Sequence, residues 1–89
     1  SEQRAAHFSL AKELFQRLAI TQEDLPDGYA IQFPASAYED IVRFVGNERR
    51  CCPAIRFEIE VCPAEGPVTL QLKGPEGARE FLKAELPLK

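Results

Sequence analysis

The chain has 89 residues, 45% of them apolar and 28% charged, with no long apolar run and no low-complexity tract. That balance describes one globular domain over residues 1–89 and argues against a disordered or membrane-embedded chain. The net charge is −3 and Lys and Arg are scattered, so no basic stripe is set out to neutralise a phosphate backbone, which argues against nucleic acid as the partner. A domain this small buries roughly 60–65% of the surface its unfolded chain exposes, which leaves a thin core and makes a homodimer an open option.

The segment Ser1-Glu2-Gln3-Arg4-Ala5-Ala6-His7 lacks the basic-then-apolar layout of a secretory signal. Three cysteines, an odd number, fit reduced intracellular thiols better than a disulfide framework, so the expected location is cytoplasmic.

In chain order, Phe8, Ala11, Leu14, Phe15 and Leu18 recur at three- and four-residue spacing and predict an amphipathic helix from Glu2 to Gln16 or Leu18. Pro26-Asp27-Gly28 between Leu18–Gln22 and Tyr29–Phe33 predicts a hairpin. Pro34 stops its second strand. Ser36-Ala37-Tyr38-Glu39 then reads as a capping box opening a helix from about Ala37 to Arg50. The inward stripe of that helix is read as Tyr38, Ile41, Val42 and Val45, extended by one period to Cys52, with Cys51 beside Phe44 and Glu48.

Pro53 ends the helix, after which Ile55, Phe57, Ile59 and Val61 alternate with Arg56, Glu58, Glu60 and Cys62, the clearest strand signal in the chain. Pro63–Pro67 turns into a second alternating run, Val68–Leu72. Pro75 fits the first turn of a last helix whose apolar side is Phe81, Leu82 and Leu86. The expected fold is therefore α+β. An N-terminal helix precedes two β-hairpin-plus-helix units, which form a four-stranded, mostly antiparallel sheet with helices packed on one face. The two units share element order and almost no residue identity. The opposite face, carrying Arg56, Glu58, Glu60, Thr69, Gln71 and Lys73, is expected to be wet unless a partner covers it.

The run Glu48-Arg49-Arg50-Cys51-Cys52-Pro53, a Glu-Arg-x-Cys-Cys-Pro motif, is followed by the alternating strand and by Leu70-Gln71-Leu72-Lys73-Gly74-Pro75-Glu76-Gly77. With Asp27-Gly28-Tyr29 and Phe33-Pro34, it resembles a group of small uncharacterised bacterial proteins, sometimes found near mercury- or other metal-resistance genes. The resemblance covers most of the chain and implies a metal-related context, with Glu48, Arg49, Cys51 and Cys52 as the positions carried over. Where those proteins usually continue with an aromatic residue after the proline, this chain has Ala54.

Read chemically, adjacent thiolates are soft ligands that suit mercury, copper(I) or trivalent arsenic at low coordination number, and suit zinc less. Cys51 and Cys52 are the candidate metal ligands, with Glu48 as a weaker one and His7 or a second subunit as other sources of a third. Cys62 is too distant, since a strand from Ile55 to Cys62 spans about 23 Å. A Cys51–Cys52 disulfide would be strained, because neighbouring Cα atoms are only ~3.8 Å apart. Arg49 and Arg50 favour a thiolate, whereas the helix carboxyl end, Glu48 and burial oppose it.

The competing reading makes the two cysteines small core residues at a helix-to-strand junction, Glu48 and Arg49 a surface or junction ion pair, and His7 a boundary residue. Tyr29 and Tyr38 are read at core or edge positions with hydroxyls reaching water. Gly74-Pro75-Glu76-Gly77 lacks the spacing of a phosphate-binding loop and reads as a helix-start turn. No general base or cofactor motif is present, so an enzyme is not expected. Two functions stay open: binding of a soft metal or thiol-reactive ligand through Cys51-Cys52, or a protein–protein interaction module or homodimer whose cysteines are structural.

Overall fold

The computed structural model describes residues 2–89, with side chains from Gln3 onward. Helix α1 (Glu2–Lys12) runs without a break into a wider π-helical turn (Glu13–Leu18), closed by the Ala19 amide donating to the Leu14 carbonyl at 2.8 Å. A hairpin of β1 (Thr21–Leu25) and β2 (Gly28–Phe33) follows, then a 3₁₀ turn (Ala35–Ala37) leading into α2 (Tyr38–Cys51). Strands β3 (Arg56–Val61) and β4 (Val68–Lys73) form the second hairpin, and α3 (Ala78–Glu85) ends the order. The four strands lie in the order β1-β2-β4-β3, every neighbouring pair antiparallel. Each hairpin therefore places its second strand at the sheet centre, and the repeated element order becomes a symmetric strand order.

The core follows from the two-residue period. Tyr29, Ile31 and Phe33 on β2 stand in register with Leu72, Leu70 and Val68 on β4, and all six are buried on one face. Onto that cluster pack Leu10, Ala11, Leu14 and Phe15 from the first helix, Ile41 and Phe44 from α2, and Ala78 and Leu82 from α3. Phe15 makes edge-on contacts with Phe33 (centroids 5.9 Å apart) and Phe44 (5.1 Å), tying helix to sheet and helix to helix. The opposite face carries the expected polar set. There Arg56 and Lys73 both approach the Glu58 carboxylate, at 3.3 and 3.4 Å.

Several side chains depart from expectation. Phe8, Tyr38 and Val42 are exposed, because α1 turns His7 and Leu10 inward and α2 turns Phe44 and Glu48 inward, and Phe81 on α3 is exposed as well, with Ala78 and Leu82 buried instead. The capping box at Ser36–Glu39 is not made. The chain enters α2 through the 3₁₀ turn, with Ala37 at the cap position and no side-chain hydrogen bond to the helix start. Strand β1 begins later than read and is polar. Its Gln22 and Asp24 pair with Ile31 and Tyr29 on the core side, where Gln22 bonds the backbone of Lys89 and Asp24 accepts a 2.8 Å bond from Arg79. Tyr29 is buried rather than reaching water, and its hydroxyl donates to the Arg79 carbonyl at 3.5 Å. Pro75 lies in the turn before α3, where the Ala78 amide donates to its carbonyl at 2.9 Å.

Candidate functional site

The end of α2 separates the two adjacent cysteines. Cys51 is the last helical residue and is exposed, whereas Cys52 leaves helical geometry (φ −127°, ψ 70°) and is buried. Pro53 enforces that exit, since its ring excludes helical dihedrals at the preceding residue. The Cys52 carbonyl then accepts from the Ile55 amide at 3.1 Å, closing a tight Cys52-Pro53-Ala54-Ile55 turn with proline at its favoured second position. All three cysteines are free thiols. Cys62 follows the far end of β3, away from the pair as expected.

Beneath the junction lies an arrangement that the sequence reading did not assemble. Glu48, read as a surface or junction ion-pair residue, is only 4% exposed. One carboxylate oxygen accepts from the Cys52 thiol at 3.2 Å, and the other is held by a short contact with Nε2 of His7, 41 residues away in sequence. It is thus Cys52, and not Cys51, that sits against Glu48. The His7 ring stacks on Phe44, centroids 5.3 Å apart and planes 14° from parallel, which fixes its approach to the carboxylate. The Nδ1 atom of His7 is buried without a hydrogen-bond partner.

This Cys52–Glu48–His7 chain sets the character of the buried thiol. Burial first, and then the hydrogen bond and the negative charge of Glu48, push the Cys52 thiol up to about 12. Cys52 is therefore a neutral hydrogen-bond donor near pH 7, not a free nucleophile.

Two clefts meet at Cys51. An apolar cleft of about 290 Å³ lies between the Cys51–Ile55 turn and the start of α3, with both Cys51 and Cys52 in its wall along with Ile55, Pro75, Ala78 and Phe81. Gly77 makes the sharp entry into α3 at that rim with φ of 89°, a left-handed conformation that suits glycine. A second groove, on the side of α1, also reaches Cys51.

Among the described residues, no group of three or more His, Cys, Asp or Glu side chains is placed to hold a metal ion. Glu48 has its two oxygens engaged by Cys52 and His7. Also among the described residues, no helix is long and apolar enough to cross a membrane. No family model, curated protein or solved structure matches the chain.

Proposed function

We propose that the protein binds a thiophilic ligand, a soft metal ion such as mercury or copper(I) or a thiol-reactive compound, through Cys51 and Cys52 in a reducing cytoplasm. The observation that supports this reading is that both adjacent cysteines line the apolar cleft as free thiols, Cys51 exposed and Cys52 bonded to a buried carboxylate. A soft ion bound by two thiolates needs no further hard ligands. The apolar lining suits an ion of low charge density or one bearing an organic group. Glu48 is placed to take up the proton that Cys52 loses on coordination. The resemblance of the Glu-Arg-x-Cys-Cys-Pro run to proteins found near metal-resistance genes points the same way.

The experiment is native mass spectrometry of the reduced protein titrated with Hg(II), Zn(II) and arsenite, beside the Cys51→Ser/Cys52→Ser variant. Selective stoichiometric uptake of a soft ion, lost in the variant, is the expected result; equal uptake by both proteins refutes it.

A homodimer through the sheet edge is the second reading. It is supported by β3, which has a free edge in the order β1-β2-β4-β3 and ends at the exposed Val61. The same spectra read the mass. A dimer that persists without either cysteine, in a protein that takes up no ion, would favour this alternative.

A further inference from the structure

The groove between α1 and α2, about 600 Å³ in volume, carries a charge pattern that the apolar cleft lacks. Among the described residues, its lining includes Arg4 and His7 from α1 and Arg43, Asn47, Arg50 and Cys51 from α2, and no aspartate or glutamate. Three guanidinium-bearing residues thus share one concavity in a protein whose net charge is −3. Helix periodicity explains part of the clustering, since Arg43, Asn47 and Arg50 fall on one side of α2 at spacings of four and three.

The arginines of α2 are lightly tethered. Arg43 approaches Asp40 at 3.3 Å in an exposed i,i+3 pair, and Arg50 donates to Asn47 at 3.4 Å, contacts that an incoming anion can replace. Glu48, on the same helix, has its two oxygens engaged by Cys52 and His7 and does not enter the lining. Guanidinium groups recognise carboxylates with paired, directional hydrogen bonds, so the groove suits a small molecule carrying more than one carboxylate. Its volume is in the range of small-ligand sites.

Cys51, an exposed free cysteine, also lines this groove and adds a sulfur-specific element. We propose that the groove binds a small anionic disulfide and that Cys51 forms a mixed disulfide with it. The Cys51 thiolate attacks one sulfur of the bound disulfide. A new sulfur–sulfur bond forms to Cys51, the original one breaks, and the other half departs as an anionic thiolate that takes up the proton released by Cys51. The incoming disulfide supplies both oxidising equivalents, so no other oxidant is needed. The inference does not rest on soft-ion binding, and failure of ion uptake leaves it standing.

Glutathione disulfide, neutral bis(2-hydroxyethyl) disulfide and cationic cystamine are the probes, each incubated with the reduced full chain and followed by intact mass and peptide mapping. The rate with glutathione disulfide, relative to the neutral probe, is expected to exceed that of cystamine by about tenfold or more. The adduct is expected on Cys51. The Arg43→Gln/Arg50→Gln variant should lower the anionic preference by about tenfold while its rate with the neutral probe is maintained, and Cys51→Ser should form no adduct at the groove. Comparable rates for anionic and cationic probes, a preference unchanged by the arginine substitutions, or first modification at Cys52 or Cys62 would each overturn the proposal.

Discussion

Removing the Cys52 thiol should change how the protein's stability depends on alkaline pH. The folded-state thiol is pushed up to about 12 from an ordinary value of 9.0, so between those two values the folded chain holds a proton that the unfolded chain has lost. Stability is then fully present below about pH 9 and falls as pH rises toward 12. The slope approaches 1.4 kcal/mol per pH unit, so by about pH 10.5 the loss attributable to this group is on the order of 2 kcal/mol. Cys52→Ala lacks the group and escapes that loss. It begins about 1–2 kcal/mol less stable near pH 8, since it leaves a small void and deprives Glu48 of a donor. The gap should close or reverse by about pH 10.5. Urea unfolding of both proteins at the two pH values measures this, and other titrating groups are common to both and cancel. Glu48→Gln should narrow the window from above by lowering the folded-state value, while burial still holds it over 9. Parallel pH profiles for wild type and Cys52→Ala would refute the linkage between burial, the Glu48 bond and the thiol.

Three further outcomes follow from backbone geometry and are read by urea or thermal unfolding. Gly28→Ala should destabilise by about 3 kcal/mol or more, because a Cβ there would lie 1.7 Å from the Leu72 carbonyl oxygen on β4 and the central strands would have to part. Gly46→Ala, at a helical position where, among the described residues, the added carbon meets nothing within 4 Å beyond its chain neighbours and its own helix backbone, should stabilise by about 0.5–1 kcal/mol. Ala64 and Glu65 both have φ of 56° in the turn that joins β3 to β4, so the Ala64→Asn/Glu65→Gly change should relieve strain and stabilise by about 1–2 kcal/mol.

The sheet was legible because its apolar positions alternate cleanly, and the hairpin turns were marked by Pro-Asp-Gly and by the run from Pro63 to Pro67. Strand β1 was not, since its core-side residues are Gln22 and Asp24, whose place is set by contacts with Lys89 and Arg79 far along the chain. The helix faces were misread for a related reason. Reading only apolar residues as inward selected Tyr38 and Val42 and passed over Glu48, yet Ile41, Phe44, Glu48 and Cys52 follow helical spacing, as do His7, Leu10, Ala11 and Leu14. A carboxylate is seldom buried unless paired, and its partner here lies on another helix. The signal was present as periodicity in two separate helices; what joins them, the packing of α1 against α2, has no local sequence marker.

The divergence of the two cysteines makes the proposed ligand binding testable by proton counting. A ligand held by both thiols must displace the proton of Cys52, which near pH 7 lies about 5 units below that thiol's value and costs about 7 kcal/mol if the proton goes to solvent. Soft-ion coordination to thiolates is strong enough to offset such a cost, but the cost leaves a signature. Binding to both cysteines in their neutral form releases two protons, and the apparent affinity rises about a hundredfold per pH unit; binding to Cys51 alone releases one and rises about tenfold. Transfer of the Cys52 proton to Glu48 would keep one of the two inside the protein and reduce the count to one. That case is separated from single-thiol binding by Glu48→Gln, which restores the second released proton only if Cys52 is a ligand. Calorimetric titration with Hg(II) in buffers of different ionisation enthalpy, with a competing thiol to bring the affinity into range, gives the count for wild type, Glu48→Gln and Cys52→Ser. A count of one in all three proteins would show that Cys52 stays bonded to Glu48 and that the buried thiol is architecture, leaving Cys51 as the sole ligand.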